Sequence, residues 1–151
     1  MTAFPDTSFI CSIYRTQSHS IKADAYMESS DRPLMVSSLL LLEFRQSVRL
    51  QARLFSLDRT KGYPQAEGER MLRNLQVDLG SGLLQSVVVD WSDVHRIAEN
   101  LSGRYTRERG HRFADLLHVA TALHLGSPEF LTFYANQRAL AEAEGMSVPL
   151  G

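Results

Sequence analysis

The chain has a single cysteine, almost no net charge and no apolar run approaching the ~20 residues needed to cross a bilayer. Each shortage excludes something. Cys11 has no partner for an intrachain disulfide, and its neighbours Phe9, Ile10 and Ile13 mark it as a small buried hydrophobe, which fits a reducing cytoplasm. One cysteine with scattered histidines does not supply the close Cys/His spacing of a structural zinc site. A formal charge of −1 creates no global field for a nucleic acid or a membrane surface, so any site for a polyanion has to be local. The N-terminus lacks the basic and apolar regions of a signal peptide, and no Walker-type phosphate loop is present. The expectation is a cytoplasmic protein with no membrane partner. At 151 residues, without internal repeats or low-complexity tracts, the chain fits one domain spanning 1–151.

Strand-like and helix-like segments alternate. Ala3 to Asp6 reads as a short strand, followed by a helix capped by Thr7 or Ser8 and running through Tyr14. A helix over Ile21 to Ser29, a strand over Leu34 to Ser37 and a long helix from Ser38 to about Phe55 come next. Gly62, Pro64 and Gly68 make Ser56 to Gly68 a connector to a helix near Glu69 to Leu79, closed by Gly80 and Gly82. The β-branched run Val87-Val88-Val89 suggests a buried strand over Ser86 to Asp90, and Ser92 caps a helix over Asp93 to Glu108. The segment Phe113 to Leu125 is apolar nearly all round and is therefore expected at the centre. A strand over Phe130 to Phe133, a helix over Gln137 to Glu144 and a strand over Met146 to Leu150 complete the pattern. Such alternation predicts an α/β fold with a mostly parallel sheet covered on both faces.

Within this frame three acids stand in apolar or tightly packed settings: Asp6, Glu43 and Asp115. Asp6 falls at the carboxyl end of the first strand, where open α/β sheets gather ligands; its ordinary reading is a helix cap or turn aspartate. Glu43 follows four leucines inside a helix and borders apolar surface; its ordinary reading is a solvent-facing helix residue. Asp115 opens the central helix, where a carboxylate also serves as a cap or a partner to the dipole. His118 shares its face, either as a packing residue or as a group near a site. An ionised carboxylate in low dielectric is costly unless paired or bound to a cation, and no Lys or Arg lies within a helical turn of Asp6. Oxygen donors drawn from distant segments suit a hard cation such as Mg²⁺, which activates water and stabilises a leaving oxygen in phosphodiester cleavage. Arg104, Arg107, Arg109, His111 and Arg112 approach Asp115, and Arg45, Arg49, Arg53, Arg59 and Lys61 lie on and after the Glu43 helix. They are either solvated helix faces or local phosphate contacts.

Four short motifs in this order give the chain a family likeness: Pro5-Asp6-Thr7-Ser8-Phe9, Leu42-Glu43-Phe44-Arg45, Asp115-Leu116-Leu117-His118-Val119-Ala120, and Phe130-Leu131-Thr132-Phe133 with Gln137-Arg138-Ala139-Leu140-Ala141. Together they resemble a PIN domain, and more narrowly the VapC-type toxin ribonucleases of bacterial type II toxin–antitoxin pairs. The resemblance implies a three-layer α/β/α domain with a central, mostly parallel sheet. It also implies a Mg²⁺- or Mn²⁺-dependent endoribonuclease, an RNA substrate, a cognate antitoxin and a homodimer. Asp6, Glu43 and Asp115 match three acidic positions of the family and are expected both as metal ligands and as catalytic residues. The fourth departs from the pattern. Where the family has Thr-x-Asp, Thr132-Phe133 leads to Tyr134, and Asn136 two residues on is the candidate neutral oxygen. A phenol with a reference pKa of about 10 is a poor metal ligand beside a carboxylate. The alternative is a PIN-fold module with impaired catalysis that binds RNA or a protein partner.

Overall fold

Neighbouring residues in and beside β1, β2 and β4 enter opposite cores in the computed structural model, which describes residues 2–150. In β1 (Phe4–Pro5) Phe4 packs into one cluster, while the preceding Ala3 packs into the other. In β4 (Phe130–Leu131) Phe130 and Leu131 divide in the same way, and in β2 (Leu34–Val36) Leu34 and Val36 face one cluster and Met35 the other. This period of two is what a sheet buried on both faces requires. The first cluster lies under α1 (Thr7–Tyr14), α2 (Ser20–Ser29), α3 (Ser38–Leu57) and α4 (Gln65–Ser81). The second lies under α5 (Trp91–Leu101), α7 (Phe113–His124) and α8 (Ala135–Ala143). The result is the expected three-layer α/β/α arrangement.

The strands pair in parallel. β1 pairs with β4, Phe4 opposite Phe130 and Pro5 opposite Leu131. β2 pairs with β3 (Leu84–Ser86), in the register Leu34 to Leu84 and Val36 to Ser86. The two pairs are separate two-stranded sheets; β1 lies against β2 without a ladder between them, so the strands stand side by side as β3-β2-β1-β4. Asp6 is tied to the far end of β4 by its N–H, which donates to the Leu131 carbonyl at 3.0 Å.

Several boundaries differ from the sequence expectation. The third strand is Leu84–Ser86, not Ser86 to Asp90, because Leu84 fills the buried place opposite Leu34 and Val88 is 97% exposed. Asp90 instead caps α5 by accepting from the N–H groups of Ser92 and Asp93, so that helix begins at Trp91. The helical run beyond it is not uniform: a π-helical turn over Ser102–Thr106 precedes the short α6 (Arg107–Arg109), which ends at Gly110 with φ +69°. The connector before α4 shrinks, since α3 reaches Leu57 and α4 starts at Gln65; α4 runs through Gly80 to its left-handed cap at Gly82. β4 stops at Leu131, and the expected final strand is reduced to one parallel bridge between Glu129 and Ser147. Among the described residues no helix is long and apolar enough to cross a membrane.

Candidate metal-dependent active site

Asp6 is the N-cap of α1 and also lines the main cleft, so its two readings are compatible. Its Oδ1 accepts from the Phe9 N–H at 3.0 Å and from the Ser8 hydroxyl at 2.6 Å. Its Oδ2 accepts from Thr132 Oγ1 at 2.6 Å across the strand end. The side chain is 1% exposed. Burial holds its carboxyl above the usual aspartate range, against the opposing pull of the Ser8, Thr132 and Phe9 hydrogen bonds. Among the described residues no Lys or Arg forms an ion pair with it. A buried carboxylate without a cationic neighbour is the kind of group a metal ion relieves.

Glu43 projects from the second turn of α3. It accepts a hydrogen bond from the Thr7 hydroxyl and meets His118 Nε2 at 3.1 Å. Burial raises its pKa, but the hydrogen bonds from His118 and Thr7, with the charge of Arg112, outweigh that and hold it below the usual glutamate range. His118 is fully buried in α7. Its Nδ1 has no partner among the described residues, so the ring proton belongs on Nε2, where the Glu43 carboxylate receives it. His118 thus fixes Glu43 from behind.

Asp115 lies in the first turn of α7, and its Oδ2 accepts from Arg112 Nε at 3.0 Å. That arginine is 74% exposed, and an ion pair this open is worth roughly 0–1 kcal/mol, so it leaves Asp115 able to take a second cation beside Arg112. A buried relay links the two aspartates. The Gln137 amide donates to the Asp115 carbonyl at 3.2 Å, and its oxygen stands 3.3 Å from the Thr132 hydroxyl that donates to Asp6. Gln137 is 1% exposed.

Asp6, Glu43 and Asp115 line one cleft of about 600 Å³. As placed, no group of three His, Cys, Asp or Glu side chains among the described residues converges on a single point, because Glu43 is turned to His118 and Asp115 to Arg112. The donor set nevertheless fits a hard divalent cation: all carboxylate oxygens, with one acid buried and unpaired and another held by a weak, open ion pair. Tyr134, at the N-cap of α8, joins the cleft wall, half-exposed. Asn136 does not line it; its amide donates to the Arg109 carbonyl at 3.1 Å from an exposed position. Of the basic residues grouped before Asp115, only Arg112 reaches the cleft, and Arg15, from the end of α1, lines its other end. The Thr132–Gln137 relay and the placement of Arg112 carry no local signature in the sequence, since each depends on the β4–α8 and α7 segments meeting.

The family model for the PIN domain matches residues 3–143. No curated protein sequence matches the chain significantly. Similar solved structures include Mycobacterium tuberculosis VapC20, described as a sarcin–ricin loop cleaving toxin, with TM-score 0.67 and 18% identity over 97% of both chains. Neisseria gonorrhoeae FitAcB is similar at TM-score 0.66 and 18% identity, over 97% of this chain and 96% of that one. Rickettsia felis VapBC2, solved bound to a DNA fragment from its promoter, is similar at TM-score 0.67 and 13% identity, over 98% of this chain and 97% of that one.

Proposed function

The chain belongs to the PIN domain family, and from that premise we propose that it is an endoribonuclease dependent on Mg²⁺ or Mn²⁺, acting as the toxin of a toxin–antitoxin pair. The observation that carries this reading is a buried, cation-free Asp6 sharing one cleft with Glu43 and Asp115. These three acids would hold the metal. When bound, such an ion lowers the pKa of water and neutralises charge developing on a phosphodiester. The protein's own part is positional. Thr132 and Ser8 lock Asp6, His118 and Thr7 aim Glu43, and Gln137 ties the start of α7 to the strand end that carries Thr132. RNA as substrate is supported by the likeness to a toxin described as cleaving the sarcin–ricin loop. A cognate antitoxin and a homodimer belong to the same proposal, drawn from the resemblance to VapC-type toxins and supported for the antitoxin by the likeness to the structure of VapBC2.

Cleavage of a labelled RNA by the purified protein is expected with Mn²⁺ and not with EDTA. Asp6→Asn and Asp115→Asn are each expected to lower its rate by at least about a hundredfold, the scale of losing a group that stabilises the transition state. Unchanged cleavage by both variants overturns the assignment. Tyr134 favours a second reading, a PIN-fold module with impaired catalysis that binds RNA or a protein partner, because a phenol stands where the resemblance implies a fourth carboxylate. A rise of orders of magnitude in Tyr134→Asp supports that reading, whereas no gain supports catalysis with three acids.

A further inference from the structure

At the place where the resemblance implies a fourth acid, the structure brings a cation. Arg112, immediately before α7, lays its guanidinium over the Tyr134 ring, 5.8 Å from the centroid, while its Nε donates to Asp115 at 3.0 Å. Its charge is also felt at Glu43. A guanidinium carries five N–H donors in a planar fork. Only Nε is used: among the described residues neither terminal nitrogen makes a hydrogen bond, and the side chain is 74% exposed on the cleft wall. An aromatic face below and a carboxylate at one edge fix the plane and leave the terminal edge open to an anion, which is the geometry in which arginine receives a phosphate through two parallel bonds.

We propose that Arg112, held by Tyr134 and Asp115, is a phosphate-binding residue of the RNA cleft, and that this pair takes the place of a second metal ion. The inference rests on the nuclease reading above. Counted as carboxylates, the three acids and the one guanidinium that pairs with them, Arg112, leave two negative charges in excess, which a single divalent ion balances; a fourth carboxylate would call for more positive charge. Arg15 at the opposite end of the cleft does not compete for this role, since its guanidinium stacks on Tyr63 at 4.4 Å and pairs with Glu67 at 3.6 Å.

The test is fluorescence anisotropy of a labelled single-stranded RNA with the full chain in EDTA across a salt series, run beside Mn²⁺ calorimetry. Arg112→Gln is expected to weaken RNA binding about tenfold and to reduce the salt slope by about 0.7, the share of one phosphate contact on a single strand. Arg112→Lys should keep the slope and regain only part of the affinity, because the charge remains and the fork is lost. Tyr134→Ala should weaken binding severalfold with the slope intact. Calorimetry should give about one Mn²⁺ per wild-type chain, bound more tightly by Arg112→Gln, which lacks the competing cation. An unchanged slope in Arg112→Gln, with normal wild-type cleavage, overturns the inference and leaves the nuclease reading standing. Two Mn²⁺ per wild-type chain overturns the one-ion site. A wild-type chain that neither binds Mn²⁺ nor cleaves RNA, while Arg112→Gln still loses slope, overturns the nuclease reading and keeps the phosphate contact. No wild-type affinity for RNA overturns both.

Discussion

Asp6 performs two tasks that conflict in the absence of a cation. As the cap of α1 it satisfies the Phe9 N–H, and as a buried carboxylate it carries a charge that its surroundings disfavour. Its pKa in the fold is raised above the ordinary value of 3.8, so the fold favours the protonated form. That contribution is complete below the ordinary pKa and is lost as pH rises through the raised one. In EDTA, above that raised pKa, the wild type has lost it, whereas asparagine is neutral at every pH and keeps the Oδ1 cap. Thr132 can turn its hydroxyl to Gln137, 3.3 Å away. Asp6→Asn is therefore expected to melt a few degrees above the wild type at pH 7 in EDTA, about 2–4 °C per kcal/mol for a chain of this size, with the gap closing toward pH 4. A lower Tm for the variant at pH 7 contradicts this account of the charge. The three acids were legible in the sequence because each interrupts an apolar setting. Gln137 was not, since an amide at a helix start looks like ordinary surface until the fold supplies Thr132 beside it, and Arg112 was legible only as one of five basic residues before Asp115, without Tyr134 to single it out.

At the scale of elements, the site is made where helices begin or pass strand ends: the β1–α1 junction holds Asp6, α3 brings Glu43, and α7 contributes both Asp115 and His118. The far end of the cleft is shaped by the turn before α4. Gly62 there has φ +62°, and a Cβ at this position would run into the Gln51 carbonyl oxygen on α3. Both the left-handed backbone and the close approach demand glycine. Gly62→Ala is expected to cost at least ~2 kcal/mol, read as a lower denaturation midpoint. An unchanged midpoint would show that the turn relaxes freely. The sequence marked this connector by its Gly and Pro residues but overstated its length, because Gln65 to Gly68 are helical without an apolar stripe and Leu57, though apolar, extends α3 as an exposed residue. The misplaced third strand has a complementary cause. Val87-Val88-Val89 looks like a strand by composition, yet burial opposite Leu34 goes to Leu84, and Asp90 is taken up as a cap.

On the scale of the whole molecule, the site does not exist in any segment. Asp6, Glu43 and Asp115 come from the β1–α1 junction, α3 and α7, and are brought to one cleft by parallel strands whose two faces carry separate apolar clusters. Strand alternation and the apolar Phe113–Leu125 segment made the layered architecture readable in advance, since burial on both faces leaves a direct imprint on sequence. The sharing of one cleft by the acids left no such imprint: it depends on β1 lying between β2 and β4, which periodicity does not encode. The central claim is that these acids act together as one cation site. Titration calorimetry of Mn²⁺ into the purified chain, compared with Asp6→Asn, Glu43→Gln and Asp115→Asn, tests it most directly. The account predicts saturable binding by the wild type that falls at least about tenfold in each single variant. Absence of binding to the wild type, or equal affinity in all three variants, contradicts it.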